Sequence, residues 1–278
     1  MNQLPGFQLA LIIFADYISP MTQLSVVIIT LNEERNIGRC LQSVKGIADD
    51  VVVVDSGSTD RTNSICMEFG ARFITHNWLG FAETKNFANA QAKFPLILSL
   101  DADEALSDRL KASILAVKAM ESGKTAFSMN RLTNYCGKWI KHSGWYPDTK
   151  IRLFNRDHAR WTGKVIHEKL TTDQGIETEH LEGDLLHYSY YSIAGHIAQA
   201  NRFTDLTAEE AFWEGKNSGI MQILMKPPVK FIRNYFFKLG FLDGYYGFVI
   251  CRISAQATFF KYIKLRQLRA GVPLNKNS

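Results

Sequence analysis

The chain has 278 residues, 46% hydrophobic and 21% charged, proportions that exclude a disordered, collagenous or coiled-coil protein. Its length suits one large α/β domain, or a domain with a small appendage, with a core that needs no metal or disulfide staples. Net charge is +5, but residues 226–278 hold ten Lys/Arg against one acid, Asp243, for +9, and the rest carry −4, so the tail points to an anionic partner.

Residues 1–23 are set aside as an N-terminal arm or start-site artefact. The apolar run 9–15 is short, no Lys or Arg precedes it and Asp16 follows, which makes a poor signal peptide. Leu24–Thr30 is a continuous apolar, β-branched run, as in strands buried on both faces of a parallel sheet. Asn32 and Glu33 open a helical pattern with Ile37, Leu41 and Val44 on one face. Asp50–Asp55 is a second buried strand. The chain then turns at Gly57, and Thr59 or Asp60 caps a helix that carries Ile65 and Phe69 and stops at Gly70.

Residues 72–76 are a short third strand, 82–92 an Ala-rich helix and 95–100 a fourth strand. Ser107 caps a further helix with Leu110, Ile114 and Val117 in register. This alternation predicts an α/β fold with an open, mostly parallel sheet flanked by helices. Residues 125–190 are polar and Trp-rich, with strand-like pieces such as 150–154, and read as the substrate-facing half of the same domain. After Tyr191 the pattern is helical to the end. The division is therefore 24–190 for the domain and 191–278 for a basic, aromatic extension. Cys40, Cys66, Cys136 and Cys251 form no CxxC pair and read as free thiols of a reducing cytoplasm.

In open α/β sheets ligands bind at the carboxyl ends of the strands. Asp101-Ala102-Asp103 follows the fourth strand. Spacing i, i+2 in an extended segment predicts both carboxylates on one side, where they can hold a hard cation, Mg2+ or Mn2+, that binds a diphosphate. A solvated acidic turn is the plain alternative. Asp55, in the run DSGSTD, can accept hydrogen bonds from a base N–H or ribose hydroxyls, and Gly57 lets the backbone approach closely. A strand–helix turn with an N-cap explains the same residues without a ligand. Thr30, Asn32 and Glu33 end the first strand at this crevice. Lys85 opens a helix from which it neutralises phosphate or is merely solvated. No GxGxxG follows the first strand, which disfavours a dehydrogenase.

Taken together, TLNEE (30–34), DSGSTD (55–60), TKN (84–86) and DADE (101–104) resemble the family 2 glycosyltransferases of the GT-A fold, a Rossmann-like architecture. Residues 142–148, 152–154, 165–168 and 186–190 look like the lipopolysaccharide core β-glucosyltransferase branch, which transfers glucose to an inner-core heptose. The resemblance implies a metal-dependent, inverting transferase using UDP-glucose. Asp55 would read uracil or ribose, Lys85 would lie near base or phosphates, Asp103 would hold the metal, and Asp101 would meet the sugar or metal-bound water. Thr30, Asn32, Glu33, Gly57 and Ala102 would complete the donor pocket.

Many family members carry Glu-Asp where this chain has His167-Glu168. Carrying the base role to Glu168 keeps a carboxylate one methylene longer, with Asp148 as rival. His187, or else His167, would complete the metal shell, unless it is a packed, hydrogen-bonded histidine. Trp145, Tyr146 and Arg152 would face the acceptor, since aromatic faces suit sugar C–H surfaces.

The tail from 226 to 269 mixes eleven aromatics with its basic residues. That composition suits interfacial helices on an anionic membrane, or a helical pair packed on the domain with a solvated basic face. No nucleic-acid reader motif appears. The expected setting is peripheral, at the cytoplasmic face of the inner membrane, with a lipid-linked glycan such as the lipopolysaccharide core as acceptor. A polyprenyl-phosphate acceptor is the rival within enzymes, and a non-catalytic nucleotide-sugar-binding scaffold the rival outside them.

Overall fold

Four strands are laid down first: β1 (Leu24–Thr30), β2 (Asp50–Asp55), β3 (Arg72–Thr75) and β4 (Leu96–Asp101). Between them lie α1 (Ile37–Val44), α2 (Thr62–Glu68) and α3 (Phe81–Ala90). The computed structural model describes residues 21–120, 125–163 and 168–274; residues 1–20 of the N-terminal arm, and His167, lie outside the described residues. β1 is buried along its whole length, and alternate residues serve opposite faces. Leu24, Val26 and Ile28 pack with Ile37, Leu41 and Val44 of α1. Val27 and Ile29 pack on the other side with Ala82 and Ala88 of α3. A strand with helices on both faces has no use for alternating polarity, which is why these runs are continuously apolar.

The chain continues through β5 (Glu104–Leu106), α4 (Asp108–Lys118), β6 (Thr125–Tyr135), β7 (Lys138–Ile140), β8 (Asp148–Asn155), β9 (Ala159–Thr162), β10 (Lys169–Thr172) and β11 (Glu177–Tyr190). Helices α5 (Ile193–Trp213), α6 (Ile220–Ile232) and α7 (Gly244–Arg269) close it, with a π turn at Arg233–Phe237 and a 3-10 turn at Gly240–Asp243 between the last two. The main sheet runs β3-β2-β1-β4-β8-β6-β11-β5, with β7 beside β6; β9 and β10 form a separate hairpin.

The α/β architecture is as expected, but only the β3-β2-β1-β4 half is all parallel. β8 pairs antiparallel with both β4 and β6, β6 pairs parallel with β11, and β5 antiparallel with β11. In the parallel half Thr30 lies opposite Asp55, and Ile29 opposite Asp101. The tips of β1, β2 and β4 therefore end at one edge.

One local expectation shifts and one pair of alternatives narrows. α1 begins at Ile37, because Asn32 adopts a left-handed φ of 53° that a helix cannot contain. Asp60 rather than Thr59 serves the start of α2, its Oδ1 accepting from Thr62 N–H at 3.0 Å. Ser107 does cap α4, accepting from Leu110 N–H at 3.3 Å. All four cysteines are free, and burial pushes the Cys66 thiol up to about 12. Among the described residues no helix is long and apolar enough to cross a membrane.

Candidate active site

The loops after β1 and β2 are stitched to each other. Asn32 N–H donates to Ser58 Oγ at 2.7 Å, and Asn32 Oδ1 accepts from Thr59 N–H at 2.9 Å. Glu33 N–H donates to Thr62 Oγ1 at 2.8 Å, and Glu34 N–H to Asp60 at 3.0 Å. Asp55 is spent on its own loop: Oδ2 accepts from Gly57 N–H (2.9 Å) and Ser58 N–H (2.8 Å), and Oδ1 from the Ser58 hydroxyl. Gly57 turns the chain at φ 100°, a left-handed conformation that favours glycine. Asn32 and Asp55, expected to meet the donor, thus shape the loop that would receive it. Thr30 Oγ1 is buried at the same strand end with no hydrogen-bond partner among the described residues. Burial raises the Glu33 carboxyl, and Asp103 and Asp60 nearby push it the same way against a hydrogen bond from Asn36.

Asp101 and Asp103 part company. β4 ends at Asp101, the chain turns, and Ala102 is buried. Asp101 turns toward cations: Oδ2 accepts from Arg152 Nη2 at 2.7 Å, and Oδ1 lies 3.0 Å from Lys85 Nζ, an ionic contact outside hydrogen-bond alignment. Burial alone would raise the Asp101 carboxyl, but Arg152 and Lys85 outweigh it and hold it well below the usual carboxylate range. Asp103 turns instead toward His187, whose Nε2 lies 3.1 Å from Oδ2. The two carboxylates do not share one side, because the strand's alternation stops at the turn.

An ionic ladder continues from Asp101. Arg152 also donates to Glu104 at 2.8 Å, Arg131 lies 3.5 Å from Glu104 and donates to Asp148 at 2.7 Å, and Lys150 lies 2.9 Å from Asp148. Arg152, expected at the acceptor, is a buried rung of this ladder and also lines the cleft that Asp101 and Glu168 share. Asp148 would be raised by burial, yet Arg131 and Lys150 keep its carboxyl lowered. Lys85 is 1% exposed; it also lies 3.5 Å from Glu168 Oε1 and sits 4.5 Å over the Trp161 ring. Asp101, Arg131, Lys150, Arg152, Trp161 and Glu168 line one cleft of about 610 Å3. A larger cleft of about 860 Å3 runs along α5 past Tyr191, Asn201 and Arg202. None of the strand-tip acids lines that larger cleft, whereas Asp101 lines the smaller one.

Trp145 packs edge-on against Tyr135 and His196 and beside Tyr190, and Tyr146 O–H donates to Asp184 at 3.0 Å. Trp145 therefore serves an aromatic core, while Tyr146 stays half-buried. Arg131 escaped the sequence reading: one arginine in a polar strand carries no periodic signal, and its partners lie on other elements. For a divalent cation the fit rests on Asp103 and His187. Among the described residues no third His, Cys, Asp or Glu joins them. His187 Nδ1 lies 3.4 Å from Thr133 Oγ1. With that hydroxyl accepting, His187 Nε2 is left facing the Asp103 carboxylate, and the two would hold a divalent cation between them. Asp103 is a donor that Mg2+ or Mn2+ would take, and the His187 imidazole favours the softer Mn2+ over Mg2+, which prefers oxygen ligands.

The model of the family described as "Glycosyl transferase family 2" matches residues 25–182. An uncharacterized glycosyltransferase of Rickettsia typhi is 32% identical over 258 residues, covering 89% of this chain and 88% of that protein. The lipopolysaccharide core biosynthesis glycosyltransferase LpsC of Rhizobium meliloti is 28% identical over 257 residues, 90% of this chain and 94% of that protein. Among solved structures, glucosyl-3-phosphoglycerate synthase of Mycobacterium tuberculosis, in complex with Mn2+, UDP and glucosyl-3-phosphoglycerate, is 22% identical over 48% of this chain and 51% of that one, with a TM-score of 0.34. A likeness that slight says nothing of this chain's ligands.

Proposed function

The chain belongs to glycosyl transferase family 2, and from that premise we propose that it transfers glucose from UDP-glucose, with inversion, to an inner-core heptose of lipopolysaccharide. The observation that carries the reading is the cleft where Lys85 joins Asp101 to Glu168; Asp103, paired with His187, follows two residues on from Asp101 in the chain. Cations along one wall, with acids at the strand tips, suit an anionic sugar nucleotide. The resemblance to LpsC over 90% of the chain supports the acceptor.

Inverting transfer needs a group that takes the acceptor hydroxyl's proton as the diphosphate leaves. Glu168 opens into the cleft, where Lys85 is its one ionic neighbour among the described residues. Asp148 is held by Arg131 and Lys150, which weakens it as a base. The base role therefore goes to Glu168. Asp103 and His187 would hold a divalent cation, which when bound neutralises charge on the leaving diphosphate. Lys85 and Arg152 fix Asp101 in one orientation, from which its carboxylate can meet a sugar hydroxyl.

The test is a donor panel with the full chain and two acceptors, heptose-terminated core lipopolysaccharide and polyprenyl phosphate, with products read by mass. One hexose added to the heptose-terminated core from UDP-glucose is expected. Transfer only to polyprenyl phosphate overturns the acceptor, and donor binding without turnover overturns the enzyme reading. Undiminished transfer by Asp103→Ala in chelator overturns the metal assignment.

A further inference from the structure

Helix α6 has no buried side chain, although it packs along α7. Ile223, Pro227 and Phe231 are its half-covered side, and Met221, Leu224, Met225 and Val229 stand exposed on the other. At 100° per residue those four fall within one half-turn of the helix surface. A helix on a water-soluble domain faces its polar side outward; this one is apolar on its half-covered side and turns a second apolar face outward. The display continues through the turn that follows, where Phe236, Phe237, Phe241 and Leu242 are exposed, Phe237 at 78%.

The display is held in place by the fold. Asp243, the single acid of the tail, is buried, and its carboxylate accepts from the backbone N–H groups of Lys141 (3.2 Å) and His142 (3.0 Å) and from Ser143 Oγ (3.0 Å). Lys138 Nζ donates to the Asp243 carbonyl at 2.7 Å, and Ser143 N–H to the Lys238 carbonyl at 3.0 Å. A Cβ at Gly247 would overlap the Gly240 carbonyl, so α7 and the 3-10 turn touch backbone to backbone. The apolar tip is thus fastened to the loop just before Trp145 and Tyr146. Exposed Lys226, Arg233 and Lys238 are interspersed along the same stretch, and Lys141 is exposed in the loop that Asp243 anchors.

We propose that α6 and the turn up to Asp243 form a foot that lies in the interface of an anionic phospholipid bilayer, burying its aromatic and aliphatic side chains while the interspersed cations meet the headgroups. Charge complementarity selects this occupant. With Asp243 consumed inside, every charge the tail shows is positive, and a bilayer offers apolar depth and anionic surface together. α6 spans about 20 Å at 1.5 Å per residue, too short to cross and long enough to lie flat. The inference stands apart from the transfer chemistry.

The experiment is flotation of the full chain with vesicles of phosphatidylcholine alone or mixed with phosphatidylglycerol. Recovery with the anionic vesicles is expected, falling severalfold in about 1 M salt, where the Debye length is about 3 Å. Phe236→Ser combined with Phe237→Ser is expected to weaken binding at least about tenfold, with the melting midpoint and UDP affinity unchanged. Equal recovery of the parent and the double variant overturns the proposal. So does failure to float, joined to a concentration-dependent dimer that the double variant abolishes, since a second copy then covers this face.

Discussion

The parallel half-sheet and the C-terminal foot are both rich in large apolar side chains, and they treat them oppositely. Leu98 in β4 is wholly covered by helices and strands of its own chain. Phe237 in the turn after α6 points away from everything in the described residues that could cover it. Apolar composition records only that a side chain gains by leaving water, about 1.5–3 kcal/mol when fully buried. What it enters is decided by what the fold brings alongside. In the sheet, βαβ crossovers lay helices on both faces. In the foot, a buried carboxylate and a glycine contact hold the apolar surface outward.

The widest separation between the two regions is expected in catalysis. Glu168→Gln should lower kcat by about 10²–10⁴, the usual contribution of a positioned base, for membrane-embedded and detergent-dispersed acceptors alike. Asp148→Asn should stay within about tenfold, and a reversal in the same assay would move the base to Asp148. Foot variants should lower only transfer to the membrane-embedded acceptor. Next in size is Leu98→Ala, expected to cost about 2–5 kcal/mol in urea unfolding, the range for truncating a fully packed leucine.

His196 tests the junction between sheet and helices. It is buried where α5 meets β6, with Tyr135 Oη 3.0 Å from Nδ1, and burial lowers it to about 4 from an ordinary 6.5. The unfolded chain takes up this proton below about pH 6.5 while the native state refuses it until about pH 4. Stability should therefore fall as pH drops through that window, by at most about 3 kcal/mol at 1.36 kcal/mol per unit. Melting midpoints against pH should show a shallower limb there for His196→Gln. A separate acid limb belongs to Asp101 and Asp148, which are held below the ordinary carboxylate value. Their stability is present above about pH 4 and lost as pH falls further. Smallest of all, Phe237→Ser should leave stability within about 0.5 kcal/mol; a loss approaching that of Leu98→Ala would mean the foot's apolar face is covered after all.

Much of the parallel half was readable, because strands buried on both faces are written as unbroken β-branched runs, and Leu24–Thr30 and Asp50–Asp55 match residue for residue. Ser107 was readable because a cap is a local hydrogen bond. The divergence of Asp101 and Asp103 was not, since the charges that pull Asp101 aside come from Lys85 on α3 and Arg152 on β8. Nor was Asp55's engagement with its own loop, because the same carboxylate at a strand tip serves a turn or a ligand equally well.

By itself the sequence determined the α/β alternation, the shared edge at which the acidic tips finish and the charge contrast between body and tail, all properties of local pattern and composition. Only the tertiary structure decided the β8-β6-β11-β5 half of the sheet, the pairing of Asp103 with His187 rather than with Asp101, and the outward face of α6. Each of these depends on contacts between residues tens to a hundred positions apart, and no window along the chain records which of several possible partners the folded chain brings close.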